Sequence, residues 1–181
     1  MDFARELKQK SLFEYLLFMY QVEDVIRACH FDRSAISKVA LDRFGSLMGD
    51  QNQGVDWFLA MAEFMELEKI QQFGHLQHVK NLVNDLNQTH LRLTRSPKED
   101  EYQGLYYEAE SVLIELRRRG GENSNVVELS LIGIYGVWLL GLKGVTVSNE
   151  TRQATEILTR FLALLSDLYN RIELGEKELP E

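Results

Sequence analysis

The sequence predicts an all-α fold, an up-and-down bundle of six or seven helices with the first long helix at its centre. This reading rests on three features. Apolar residues recur at spacings of three and four in nearly every segment, no run alternates apolar and polar residues as a half-buried strand would, and the short connections favour antiparallel neighbours. At 181 residues the chain suits one domain, 1–175, followed by an acidic tail, 176–181, that is expected to be disordered.

The organising stretch is 11–29, SLFEYLLFMYQVEDVIRAC, where Ser11 and Glu14 form an S-x-x-E capping box. Between Leu12 and Tyr20 only Glu14 is polar, so this helix is apolar round nearly its whole circumference and should pack on several sides. It ends in a polar cluster, Gln21, Glu23, Asp24 and Arg27. A second helix is expected over 34–48 from Ile36, Val39, Ala40, Phe44 and Leu47, with a polar, glycine-containing loop at 49–54. A third starts at Val55 and carries Trp57, Phe58, Met61, Ala62 and Met65. A break is expected near 72–74, because glycine weakens a helix interior.

The fourth helix places Leu76, Val79, Val83, Leu86, His90 and Leu93 in one seam. Ser96-Pro97-Lys98-Glu99 reads as a capping box with proline at the first helical position, opening a fifth helix that Gly120-Gly121 should end. Asn125 and Glu128 open a sixth, Val126 to about Leu142, which reads as a core helix. On it Ser130, Gly133, Gly136, Gly141 and Gly144 share one face, a pattern that predicts close approach of a neighbouring backbone. The seventh starts near Ser148 and stops before Gly175.

Composition excludes several classes of partner. With 20 Lys+Arg against 28 Asp+Glu the formal charge is −8, which repels nucleic acid and anionic membranes. Arg117, Arg118 and Arg119 form a local exception, but at a helix C-terminus such cations complement the macrodipole. The single cysteine, Cys29, cannot close an intramolecular disulfide and suits a cytoplasmic setting. Arg5, Lys8 and Lys10 before an apolar run ending at Cys29 resemble a lipoprotein leader, yet Glu14, Glu23 and Asp24 interrupt that run. No apolar run reaches the ~20 residues of a membrane-spanning helix.

The blocks EYLLFMYQVEDVIRA at 14–28, FGHLQHVKNLVNDLNQTHLRL at 73–93, LYYEAE at 105–110 and IYGVWLLGLKG at 134–144 resemble, in this order, a helical family of unknown function from Bacteroides-type bacteria. The resemblance covers most of the chain. It implies a bacterial, cytoplasmic, helical protein and brings no catalytic residues with it.

Candidate sites follow from the residues alone. Glu23 and Arg27 stand at i, i+4 on the side of the first helix that also carries Tyr20, where they can pair with each other. His75 and His78 are one turn apart, and His90 lies within an apolar seam. Glu23, Arg27, His75, His90 and Tyr20 are therefore the candidate ligand-binding set. No catalytic residue is assigned, because no nucleophile elbow, Walker loop or dinucleotide fingerprint occurs. No metal or other cofactor is assigned, since neither the E-x-x-H pair of di-iron bundles nor a second acidic pair to complement Glu63 and Glu66 is present. The leading expectation is a non-enzymatic interaction or scaffold module with a homo-oligomeric or protein partner. The alternatives are a small-molecule-binding protein or hydrolase with a polar pocket between the first and fourth helices, and a metal-binding bundle.

Overall fold

The computed structural model describes residues 2–119 and 124–178. Among the described residues it is all-α: eight α-helices and a single 3-10 turn, with no strand. Contacts group the chain into two compact units, Met1–Asn81 and Leu82–Glu181.

The first unit contains α1 (Asp2–Lys10), α2 (Leu12–Ala28), α3 (Arg33–Phe44), the 3-10 turn Gly45–Leu47 and α4 (Gln51–Leu67). The organising stretch is α2. Ser11 caps it by accepting the Glu14 amide, and most of its side chains are buried, including Leu12, Leu16, Met19, Val22 and Ile26. Around Phe18 an aromatic cluster forms: Phe3 and Phe44 meet its ring edge-on and Trp57 stacks on it.

Several expected boundaries shift. α1 goes beyond the expected elements: its sequence, DFARELKQK, is short and mostly polar, with Phe3, Ala4 and Leu7 as its narrow apolar stripe, and Ala4 is buried. The 49–54 loop is mostly helix, since the Asp50 carboxylate accepts the amides of Asn52 and Gln53 and starts α4 four residues early. Gly54 lies buried inside that helix, and a Cβ there would collide with Met48 Sδ, so glycine is what lets Met48 fold back over α4. The break near 72–74 is present: α4 stops at Leu67 and α5 (Gln77–Leu93) begins ten residues later. Two helix ends in this unit take left-handed residues without glycine. His30 after α2 and Lys69 after α4 have φ of 50° and 58°, and in each case the next amide closes back on the helix, Phe31 to Ile26 and Ile70 to Met65.

The second unit contains the rest of α5, then α6 (Asp100–Arg118), α7 (Val126–Leu142) and α8 (Asn149–Glu173). α6, α7 and α8 pack on one another. The seam of α5 is buried from Leu76 to Leu93, as its spacing predicts. The expected start of the fifth helix at Pro97 is corrected to Asp100. Gln103 Nε2 donates to the Ser96 carbonyl at 2.6 Å and holds residues 96–99 as a separate turn, in which the Ser96 hydroxyl accepts the Lys98 amide. Gly120 and Gly121 lie outside the described residues. Gly175, at φ +72°, follows α8 as expected. In the segment assigned to the acidic tail, Lys177 Nζ sits 2.6 Å from the Glu99 carboxylate; residues 179–181 lie outside the described residues.

Candidate functional site

Tyr20, Glu23 and Arg27 lie three and seven positions apart on α2 and so share a face. Opposite them runs the irregular segment between α4 and α5, entered through left-handed Lys69 and pinned by buried Ile70 and Leu76. Glu23 is wholly buried. Its Oε1 accepts the Leu76 amide at 2.9 Å and its Oε2 lies 2.5 Å from His75 Nδ1. The Tyr20 ring stacks on the His75 imidazole with centroids 3.9 Å apart.

Arg27 takes the carbonyls of the same segment. Its Nε and Nη2 donate to Ile70 O, Nη2 also donates to Gly74 O, and Nη1 pairs with Asp24 at 3.1 Å. The expected Glu23–Arg27 ion pair is thus replaced. Each residue has stronger claims from a segment about fifty positions away, whose amides and carbonyls need partners where no helix supplies them. Behind the cluster, His78 Nε2 lies 3.4 Å from the Tyr15 hydroxyl. Burial lowers the His78 pKa, with the Glu23 charge opposing, and burial followed by Glu23 raises that of Tyr15.

Four of the five candidate residues therefore converge: Tyr20, Glu23, Arg27 and His75. His90 belongs to the second unit and has its own partners. It is buried, its Nδ1 lies 2.7 Å from the Tyr102 hydroxyl, and the rings of Tyr106 and Phe161 meet it edge-on. Burial brings its pKa down to about 4, so it is a neutral core histidine. Among the described residues no three His, Cys, Asp or Glu side chains are grouped to hold a metal ion. Glu63, one half of the E-x-x-E pair, is bonded to Arg33 at 2.7 Å. An open cleft of about 390 Å³ lies among α6, α7 and α8, floored by Val112, Leu116, Val137 and Leu158.

The feature sequence reasoning missed is on α7. A helix apolar all round reads as core, but α7 is buried mainly along its N-terminal half. Val126, Val127, Leu129, Ser130, Leu131 and Ile134 are buried and Ile132 among them is 45% exposed, whereas further along Trp138, Leu140 and Leu142 (61%) are all exposed. The glycine face is likewise corrected. A Cβ on Gly133 would press against Leu116 and Leu158, but one on Gly136, Gly141 or Gly144 would have no neighbour within 4 Å. Gly144, at φ +70°, is the left-handed stop of the helix, where the Val145 amide closes on Leu140 O. The available signal was the lack of any charge between Glu128 and Lys143, which fits an interface as well as a core.

A family model described as Domain of unknown function (DUF4924) matches residues 1–176. The chain belongs to the DUF4924 family. The match takes in both compact units, the α2 cluster and the whole of α7. No curated protein and no solved structure matches this DUF4924 chain. Among its described residues no helix is long and apolar enough to cross a membrane.

The geometry around Glu23 and His90 bears directly on stability. Glu23→Gln weakens the charge-assisted contacts to His75 and Leu76 and should cost about 1–3 kcal/mol in urea unfolding, with the helical spectrum unchanged. His90 governs an acid sensitivity. Its folded pKa of about 4 lies below the ordinary 6.5, so on acidification the unfolded chain takes the proton first. The fold should therefore lose about 3 kcal/mol as pH falls from 6.5 through 4, and His90→Gln should flatten that part of the stability–pH curve.

Proposed function

We propose that this chain is a non-enzymatic helical interaction module that self-associates through α7, working in the cytoplasm, where its single cysteine can stay reduced. The observation that carries this reading is the uncharged, exposed C-terminal half of α7, with Trp138, Leu140 and Leu142 on its surface and Ile132 just before them. Contiguous exposed apolar surface of this kind marks an interaction site. The chain's charge of −8 makes two copies repel over most of their surface, and a patch free of charge is where they can meet. Light scattering across a concentration series should show a dimer for the wild type. Ile132→Glu and Leu142→Glu should give monomers that melt within a few degrees of the parent. A wild type that stays monomeric throughout the series rejects the reading.

A second reading rests on the α2 cluster. The His75 side chain remains 29% exposed while the Glu23 carboxylate holds its Nδ1, the arrangement by which a carboxylate orients an imidazole so that Nε2 can act as a base. On this reading the cluster binds a small molecule and activates water against it. Hydrolysis of p-nitrophenyl acetate above the buffer rate, lost in His75→Gln, is the expected result; equal rates for the two proteins dismiss it.

A further inference from the structure

The cleft among α6, α7 and α8 has a volume of about 390 Å³, within the size range of small-molecule sites, which begins at about 300 Å³. We propose that it binds a small molecule made of an apolar body and a single ammonium group. The site belongs neither to the exposed end of α7 nor to the α2 cluster, and it stands whether or not either of those acts as read above.

Three helices build its walls. Val112 and Leu116 come from α6, Gly133 and Val137 from α7, and Ala154 and Leu158 from α8, each pair one helical turn apart and so on one face. Leu116 and Leu158 close over Gly133, where a Cβ would stand 2.9 Å from the first and 3.2 Å from the second. The threonines of α8 spend their hydroxyls on their own helix: Thr155 donates to the Thr151 carbonyl at 2.8 Å, and the Thr151 and Ser148 hydroxyls meet at 3.1 Å. The interior therefore offers hydrocarbon contact. At a water's share of liquid volume, about 30 Å³, it takes a ligand of about a dozen non-hydrogen atoms.

The charged residues of the lining are Glu115, Arg119 and Glu150. Glu115 and Arg119 are largely exposed and pair with each other across one turn of α6. Glu150 forms no ion pair among the described residues, so the lining carries one unmatched charge, and it is negative. The start of α8 does not offset it toward an anion, because the Ser148 hydroxyl already accepts the Thr151 amide at 3.1 Å. The wider field has the same sign, since a formal charge of −8 draws cations and opposes anions. An ammonium group at Glu150 with its hydrocarbon body on the floor answers both features of the cleft. A carboxylate in its place would face like charge, and a neutral head would leave Glu150 unmatched.

Amide chemical shifts of the full chain, followed by NMR during titration with phenylbutylamine, phenylbutanol and phenylbutyrate, test the site with one body and three heads. Phenylbutylamine at millimolar concentration should move the amides of Gly133, Val137 and Ala154. It should bind about fivefold more tightly than phenylbutanol, with phenylbutyrate the weakest, as one exposed ion pair allows. Glu150→Gln should bring the amine down to the affinity of the alcohol and leave the alcohol unchanged, whereas Glu150→Lys should make phenylbutyrate the tightest. Ala154→Leu puts a larger side chain into the cleft and should weaken all three compounds by about tenfold or more through lost apolar contact. Glu150 is exposed, so its variants keep the test decisive even if the filled cleft disturbs the fold. Shifts that are absent with all three compounds, or that map away from the cleft, overturn the site. So does a folded Ala154→Leu chain that binds as tightly as wild type. Equal affinities for the three heads, or amine binding that Glu150→Gln leaves unchanged, overturn the ammonium preference.

Discussion

The first unit depends on one buried carboxylate. Glu23 has no access to water, and an ion so placed is tolerated only when donors replace its solvation shell. The Leu76 amide and the His75 imidazole are those donors, and both come from a segment with no regular structure of its own. Arg27, one turn further along α2, supplies the complement by donating to the carbonyls of Ile70 and Gly74. The acid takes amide hydrogen and the base takes carbonyl oxygen, so a single helix face satisfies both kinds of backbone group that an irregular segment leaves open. The left-handed residues Lys69 and Gly74 can be held in this segment because its ends are fixed in this way.

The second unit is held differently. Around His90 the contacts are between rings, Tyr102, Tyr106 and Phe161, with one short hydrogen bond to the Tyr102 hydroxyl. The histidine is neutral because burial disfavours its charge, and in that form it behaves as a polar-tipped aromatic. α6, α7 and α8 pack without using all the apolar surface that α7 carries. What the fold does not cover is the surface on which the interaction reading is built, whereas most of the polar chemistry of the α2 cluster is turned inward.

Much of the secondary structure was legible because it rests on near neighbours. The Ser11 and Asn125 caps, the seam from Leu76 to Leu93 and the Gly175 stop are decided within a few residues along the chain. Where local signals failed, a more distant group had intervened. Gln103 drew the Ser96 carbonyl away from a helix start, and Met48 occupied the space above Gly54. Of the candidate site, its membership was readable in part: polar residues at the end of an apolar helix are unusual enough to single out Glu23 and Arg27. Their partners were not readable, since i, i+4 spacing suggested that they pair with each other.

Local pattern along the chain was enough for the all-α class, the break between α4 and α5 and the polar end of α2, because spacing, glycine and capping act over one or two helical turns. Tertiary packing was needed to decide that Glu23 meets His75 and Leu76, that His90 keeps to its own ring cluster, and that α7 is covered mainly along its first half. The physical reason is the same in all three cases. Burial and hydrogen-bond pairing between residues tens of positions apart depend on how helices pack, and periodicity specifies that a face is apolar without specifying what, if anything, will cover it.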